Sequence, residues 1–214
     1  GAFTAVLLAA YPDRFAAGSV MSGLPYGCAM DLTSATQCEQ GVTKTAMAWG
    51  DLVRAADPGY AGPWPRVQIW QGDHDTTVAP ANADALVAQW TDVRGAGQTA
   101  TATDTFGAAT RTRYGDDVEA YVVAGMGHAI ATGSDSLGPC PSGTGMYFED
   151  HQVCATLRAA DFFGLLDDGS DGSAGSDGSD GSGAGGGGGS DGAARHGGCA
   201  AGGGGGVSPI LVLA

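Results

Sequence analysis

The sequence predicts an α/β fold, in which short buried strands alternate with amphipathic helices. Two stretches support this most directly: residues 67–78, VQIWQGDHDTTV, and residues 118–128, VEAYVVAGMGH. Each stretch begins with a run rich in β-branched and aromatic residues, which ends at a glycine and is followed by a polar loop. This pattern is typical of a buried parallel strand. Between them, Leu86, Val87 and Trp90 recur at helical spacing and predict the helix that connects the two strands.

The amino-terminal elements follow in chain order. Residues 2–10 predict a helix, because apolar residues recur every three or four positions and Tyr11-Pro12 ends the pattern. Residues 15–22, FAAGSVMS, predict the next buried strand, and residues 23–41 predict a loop. A second helix is predicted over residues 43–56. Because a free-standing protein rarely begins inside a helix, we expect this chain to be a piece of a longer protein.

The later elements are predicted in the same way. Residues 57–65 form a connector rich in Pro and Gly, and a helix is predicted over residues 81–93. Residues 96–117 are polar and rich in Thr, without a helical period, which predicts a short extra hairpin or loop. Residues 136–145 predict a loop, and residues 146–166 contain a final helix.

The charge of the chain argues against a nucleic-acid partner. The 214 residues carry 23 acidic and 9 basic side chains, for a formal net charge of −14. Phosphate binding requires clustered Lys and Arg, and no basic stripe occurs in this sequence. The length is sufficient for one domain with a hydrophobic core, followed by a tail.

Four of the five cysteines form two local pairs. Cys28 and Cys38 are 10 residues apart, and Cys140 and Cys154 are 14 residues apart. Local pairs in a domain of this size favour two disulfide bonds in an exported protein, although four cysteines allow three connectivities. A metal site is a weaker interpretation, because neither C-x-x-C nor H-x-x-x-H spacing occurs. The fifth cysteine, Cys199, lies in the tail, where the plainest interpretation is an incidental thiol.

The composition changes abruptly at Asp167. Residues 167–206 are almost wholly Gly, Ser, Asp and Ala, a composition that cannot bury enough apolar surface to order itself, so a flexible linker is predicted. Residues 207–214 are mostly apolar but fall short of the roughly 20 residues that span a bilayer. The chain is therefore divided into a globular domain over residues 1–166, a linker, and an apolar segment.

The end of the chain resembles a known export signal. Gly198-Cys199 and the apolar run after it resemble the start of the carboxyl-terminal sorting tag of exported myxobacterial proteins, which has a Cys, an apolar helix and an Arg cluster. In this sequence the apolar run is short and is not followed by an Arg cluster. If the run were extended in a longer reading frame, the carboxyl terminus would be expected to anchor the protein in a membrane.

Two polar side chains follow predicted strands at positions where α/β proteins usually carry their functional residues. Asp75 follows one predicted strand and His128 follows the next, just past the carboxyl ends at which open α/β sheets carry their functional residues. A serine nucleophile needs a nearby His to accept its proton, and that His needs an acid to orient it. An acid followed by a His matches the later part of the Ser…Asp…His order of α/β-hydrolases. We therefore predict that Asp75 and His128 are a catalytic pair.

Neighbouring side chains have plainer interpretations. Asp75 is favoured over Asp73 as the orienting acid because Asp75 precedes an apolar anchor in the pattern D-x-x-V, whereas Asp73 suits a solvated turn. His74 and His151 are expected at the surface, and the spacing does not support a metal site at the two aspartates and His74. For His128, the alternative is a turn histidine without a chemical role.

Five regions of the sequence are specific when they are taken together, although each alone is common. They are AAYPDRFAAG at 9–18, GLPYGC at 23–28, KTA at 44–46 with WGDLVR at 49–54, IWQGDHD at 69–75 and GMGH at 125–128. Through these stretches, residues 2–166 resemble the carboxyl-terminal two-thirds of secreted esterases of the polyhydroxybutyrate-depolymerase type, which include the acetylxylan and feruloyl esterases of carbohydrate esterase family one.

The resemblance implies an α/β-hydrolase fold, of which this chain would supply the carboxyl-terminal part of the sheet and its helices. It implies that Asp75 is the acid and His128 the base of the catalytic triad. The nucleophile of the family lies in Gly-x-Ser-x-Gly directly before the first helix, so the Ser is expected two or three positions before Gly1. Neither Ser19 nor Ser22 lies in such a turn. We therefore expect the 214-residue polypeptide alone neither to fold stably nor to hydrolyse esters.

The implied function is that of a secreted or cell-surface serine esterase without a cofactor. Its substrates would be acyl esters of polysaccharides or polyhydroxyalkanoate-type polyesters, cleaved through an acyl-enzyme. Three alternatives stay open: a hydrolase of other specificity on the same fold, such as a peptidase or dienelactone-type hydrolase; a non-catalytic binding protein on this scaffold; and a surface-anchored protein whose tail is its main feature. The acyl group, the alcohol and the oligomeric state are also left open.

Overall fold

The computed structural model describes residues 1–140 and 145–166, which contain five helices and seven strands. The helices are α1 (Ala2–Ala10), α2 (Leu32–Glu39), α3 (Ala46–Arg54), α4 (Ala81–Arg94) and α5 (Ala155–Phe163). The strands are β1 (Ala17–Met21), β2 (Arg66–Gly72), β3 (Ala102–Phe106), β4 (Ala109–Tyr114), β5 (Val118–Val123), β6 (Ile130–Thr132) and β7 (Phe148–Asp150).

Five strands form a mixed sheet in the order β1-β2-β5-β4-β3. β1, β2 and β5 run parallel, whereas β3 and β4 form an antiparallel hairpin beside β5. β2 lies between two parallel neighbours and is buried from Val67 onward, which explains why it carries Val, Ile and Trp and why its two glutamines are also buried. Because β2 and β5 pair in register, with Gly72 opposite Val123, the two loops that follow them begin side by side.

Alternate residues of β2 point into two separate cores. Val67 and Ile69 pack with residues of α1, α3 and α4 on one face of the sheet. Trp70 lies on the other face, where its ring stacks on Tyr121 of β5 with the ring centroids 3.9 Å apart. The amino-terminal half of that second face is covered by α5, through Ala159 and Phe163. The sheet is thus sandwiched between helices, as an α/β protein requires.

A polar network lies within the second face. Gln68 is completely buried, and its Nε2 donates to Glu119 at 2.7 Å and to the carbonyl of Arg158 at 3.1 Å. Its Oε1 accepts from Ser19 Oγ at 2.8 Å and from Trp70 Nε1 at 2.7 Å. These bonds satisfy polar groups that would otherwise be costly to bury, and they join β1, β2, β5 and α5.

Most predicted elements are present. They differ from the predictions only by small shifts at their ends. These elements are the first helix, the helices within residues 43–56 and 146–166, the central helix, the three parallel strands, and the hairpin within residues 96–117. The predicted loop at residues 23–41 is wrong in part, because it contains α2. That helix buries only Cys38 and therefore shows no apolar stripe; it is fixed instead by a capping box between Asp31 and Ser34.

Two further predictions concern membrane contact and the tail. Among the described helices, none is both long enough and apolar enough to cross a membrane. The linker predicted over residues 167–206 and the apolar segment predicted over residues 207–214 lie outside the described residues.

Candidate active site

A cavity of about 300 Å³ opens beside the carboxyl ends of β1 and β2. Its wall is formed by five separate parts of the chain and includes His128, with Gly1, Met21, Ser22, Thr77, Ala129, Ile130 and Tyr147. The position agrees with the rule that open α/β sheets bind ligands outside the carboxyl ends of their strands. An apolar cavity with a few convergent polar groups is the usual form of a small-molecule site.

Asp75 and His128 meet at this cavity. Asp75 follows β2 and His128 follows β5, and the Oδ2 atom of Asp75 lies 2.8 Å from Nδ1 of His128. The Asp75 side chain is fully buried, whereas 32% of the His128 side chain is exposed. With Nδ1 facing the carboxylate, Nε2 is the ring nitrogen that is free to exchange a proton with a reacting group. This is the arrangement of an acid and a general base in a catalytic triad.

Backbone amides and Gln71 hold the buried carboxylate of Asp75. Its Oδ1 atom accepts from the amides of Thr77 at 2.9 Å and Val78 at 2.8 Å. Its Oδ2 atom accepts from Nε2 of Gln71 at 3.1 Å, and the same Nε2 also donates to the carbonyl of Val78 at 3.0 Å. These bonds offset the cost of burying the charge and fix the rotamer that faces His128.

The loops after β2 and β5 are tied together beside the pair. The amide of His74 donates to the carbonyl of Met126 at 3.0 Å. Asp73, which we expected to be a solvated turn acid, is exposed but accepts a 2.7 Å hydrogen bond from the amide of Gly125. A Cβ atom on Gly72 would lie only 2.1 Å from the carbonyl oxygen of Met126. Gly72 therefore allows the His-bearing loop to approach the end of β2.

A segment closed by a disulfide forms part of the cavity wall. Cys140 pairs with Cys154, with the Cα atoms 5.4 Å apart, and Tyr147 lies between them in the sequence. The ring of Tyr147 meets that of His128 edge-on, with the centroids 6.2 Å apart. The second pair, Cys28–Cys38, joins the loop after β1 to α2, with the Cα atoms 5.9 Å apart.

The two serines near the site differ in their surroundings. Ser19 lies within β1, and its hydroxyl donates to Gln68 inside the core. Ser22 lines the cavity with a positive φ of 43°, and its buried Oγ has no hydrogen-bond partner among the described residues. Ser22 follows β1 but precedes a loop rather than a helix, so it does not occupy a strand–turn–helix elbow.

The remaining histidines lie outside the Asp75–His128 pair. His74 is exposed, as expected. His151 is not a free surface residue, because only 15% of its side chain is exposed and its Nε2 lies 3.0 Å from Oε2 of Glu149. Within residues 1–140 and 145–166, no group of three or more His, Cys, Asp and Glu side chains is arranged to hold a metal ion.

Sequence comparison relates the chain to curated esterases. It is 41% identical over 177 residues to poly(3-hydroxyalkanoate) depolymerase C of Paucimonas lemoignei, a match that covers 78% of this chain and 42% of the depolymerase. It is 39% identical over 139 residues to feruloyl esterase B of Talaromyces funiculosus, covering 60% and 39% of the two chains. It is 39% identical over 135 residues to an acetylxylan esterase of Coprinopsis cinerea, covering 59% and 36%. No family model matches the chain.

Structure comparison gives the same relationship. The acetyl xylan esterase from Aspergillus awamori superposes with a TM-score of 0.61 at 27% identity, covering 76% of this chain and 55% of the esterase. The chain is homologous to part of these esterases. It spans less than half the length of the curated relatives it matches. The predicted α/β-hydrolase fold and the resemblance to these esterases are both confirmed.

The sequence indicated the central pair of this esterase-like site but not the groups that support it. Gln71 was overlooked, although a glutamine at the end of an apolar strand is a signal that could have identified it. The contribution of Tyr147 was also overlooked, since it depends on a loop that returns to the cavity from 19 residues beyond His128.

Proposed function

We propose that the full-length protein hydrolyses carboxylic esters by serine catalysis, with His128 as the general base and Asp75 as the acid that orients it. The observation that carries this proposal is the 2.8 Å contact between Asp75 Oδ2 and His128 Nδ1 at the wall of an apolar cavity. The homology to a poly(3-hydroxyalkanoate) depolymerase, a feruloyl esterase and an acetylxylan esterase also supports ester hydrolysis.

The proposed nucleophile is a serine two or three positions before Gly1. Gly1 is the amino-terminal cap of α1 and lines the same cavity as His128, so the segment before Gly1 would reach the base. A nucleophile at the turn into a helix is the arrangement of α/β-hydrolases. The same turn brings the helix amino terminus to the cavity, where its backbone amides favour negative charge.

The proposed reaction has two halves. His128 Nε2 accepts the serine proton as the hydroxyl attacks the ester carbonyl, and then donates that proton to the departing alcohol, which leaves an acyl-enzyme. In the second half, His128 accepts a proton from water, the resulting hydroxide attacks the acyl group, and the serine is released with its proton. Asp75 stays ionised and stabilises the imidazolium formed in each half. No cofactor takes part.

The proposed substrates are acyl esters of polysaccharides or polyhydroxyalkanoate-type polyesters. The names of the relatives include a polyhydroxyalkanoate depolymerase, feruloyl esterases and acetylxylan esterases, which support this range. Two disulfides support export to a secreted or cell-surface location, because such bonds persist in oxidising compartments. The exposed Tyr147 forms part of the cavity wall, which suits an ester carried on a larger molecule.

The test is hydrolysis of p-nitrophenyl acetate and p-nitrophenyl butyrate by the full-length protein expressed from its complete coding region. Turnover is expected in the parent protein and in His74→Ala, in which an exposed neighbouring histidine is removed. His128→Ala should lose at least about 10³-fold in kcat/KM, as expected when a triad member is lost. A fluorophosphonate probe should label a single serine before Gly1, identified by peptide mass spectrometry.

Two results would contradict the proposal. Turnover that survives in His128→Ala would show that this histidine is not the base. Absence of both turnover and fluorophosphonate labelling would favour the alternative of a non-catalytic protein on the same scaffold.

For an active protein, a substrate panel separates the esterase specificities from the peptidase and dienelactone-type alternatives. The panel consists of methyl ferulate, acetylated xylan, hydroxybutyrate oligomers, a peptide anilide and a dienelactone.

A further inference from the structure

The loop that carries His128 is held on its outer side by a second set of contacts. β7 lies beside β6, which begins two residues after His128. The amide of Gly127 donates to Oε2 of Glu149 at 3.3 Å, and the amide of Ile130 donates to the carbonyl of Tyr147 at 2.8 Å. The backbone on both sides of His128 is therefore bonded to the three-residue segment 147–149.

Glu149 is itself fixed in place. Its Oε2 atom lies 3.0 Å from Nε2 of His151, whose ring is mostly buried. The amide of His151 donates to the carbonyl of Thr132 at 3.0 Å, and its carbonyl accepts from the amide of Ala108 at 3.0 Å. Glu149 therefore projects from a strand that pairs with β6, and the residue directly after that strand is bonded to the residue before β4.

The glycine before His128 allows this contact. A Cβ atom on Gly127 would lie 3.1 Å from Oε1 of Glu149, which is closer than most side-chain contacts. A fixed acceptor limits the motion of the peptide that carries His128, and small displacements of a catalytic group cost substantial rate.

We propose that Glu149 is a positioning residue for His128, and that His151 holds Glu149 in the geometry that bonds Gly127. This inference rests on the proposed function, because it assigns Glu149 a role in the same reaction. Glu149 does not touch the reacting atoms in this assignment. It acts by accepting the Gly127 hydrogen bond, so that an uncharged acceptor of the same shape should replace it.

The experiment compares three variants of the full-length protein. Glu149→Met keeps the length of the side chain but replaces the carboxylate with a thioether, which is only a weak acceptor, and kcat is expected to fall about tenfold while KM changes by less than about twofold. Glu149→Gln keeps an acceptor oxygen and should stay within about twofold of the parent kcat. Asp150→Asn is the matched control, because Asp150 lies on the same strand but its Oδ1 accepts from Gln152 instead.

A double-mutant cycle tests the part assigned to His151. His151→Phe should lower kcat by about threefold, and the double variant with Glu149→Met should be no slower than Glu149→Met alone, because both act through one hydrogen bond. Multiplicative losses would contradict the coupling of His151 to Glu149. A fall in Glu149→Gln as large as that in Glu149→Met would contradict the acceptor role.

Hydrogen exchange at the Gly127 amide gives a readout that does not depend on turnover. Exchange is expected to be slow in the parent protein and in Glu149→Gln, and about tenfold faster in Glu149→Met. Equal exchange in all three would overturn the positioning role even if the protein is an active esterase. Loss of protection in Glu149→Met, in a protein without esterase activity, would instead uphold the contact and contradict only the proposed function.

Discussion

Oδ2 of Asp75 lies 2.8 Å from Nδ1 of His128, although 53 residues separate them in the sequence. The contact arises because β2 and β5 are parallel neighbours in register, so the loops after Gly72 and Val123 begin at the same edge of the sheet. Two backbone amides hold Oδ1 of Asp75, whereas Oδ2 accepts from Gln71 and faces the histidine.

Asp75→Asn should lower kcat by about 10³- to 10⁴-fold, with little change in stability. An amide facing Nδ1 would favour the tautomer in which Nε2 carries the proton and cannot accept one from serine. The measurement is ester turnover by the full-length protein, with melting temperature as the check on folding. Asp73→Asn is the matched control, because an amide oxygen can still accept from Gly125. A loss in Asp75→Asn no greater than in Asp73→Asn would contradict the assigned role.

Gly72→Ala should both destabilise the protein and separate Asp75 from His128. The added methyl group would lie 2.1 Å from the carbonyl oxygen of Met126 and 2.5 Å from that of Gly127, so the His-bearing loop must move away. Overpacking of this kind typically costs about 1–3 kcal/mol in the free energy of unfolding. Urea titration would measure that loss, and kcat should fall by more than the unfolded fraction explains.

The matched control for this change is Gly59→Ala, where the nearest atom to a new Cβ would be Oδ1 of Asp57 at 4.0 Å. That variant should retain both its stability and its activity. A Gly72→Ala protein as stable and as active as Gly59→Ala would show that the close approach of the two loops is not needed.

The variant Glu119→Gln should be more stable than the parent protein, and the difference in stability should grow as pH rises. Burial raises the pKa of Glu119 above its usual value, and the hydrogen bond from Gln68 and the charge of Arg111 only partly oppose this. A carboxyl with a raised pKa in the folded state stabilises that state while it is protonated, below the unfolded pKa of 4.5. That contribution is lost as pH rises through the folded pKa, whereas a glutamine at this position does not ionise.

Melting temperatures of Glu119→Gln and the parent protein, measured from pH 4 to pH 8, test this sign. The difference in favour of the variant is expected to grow with pH and then level off once Glu119 is ionised. Asp116→Asn, at an exposed acid nearby, serves as the control. A difference that is constant or that declines with pH would contradict the effect of burial on Glu119.

The sequence predicted those features that leave a local pattern. β2 and β5 each leave an apolar run that ends at glycine, and α4 leaves an apolar stripe. α2 leaves no stripe because it buries only Cys38, and β6 and β7 have three residues each, too few to show alternation. Elements of this kind are held by capping, a disulfide and neighbouring strands, and none of these can be recognised from apolar periodicity.

From the amino-acid sequence alone follow the α/β class, the positions of Asp75 and His128 past two strands, and the resemblance to secreted esterases. The folded protein was needed to show that the two side chains touch, that Gln71 holds the acid, and that Glu149 and Tyr147 return to the histidine loop. Burial pattern and turn chemistry act between neighbours in the chain, so they leave a local signal. Hydrogen bonds across the site join residues that are far apart in the chain, and these contacts leave no periodic pattern that could be recognised.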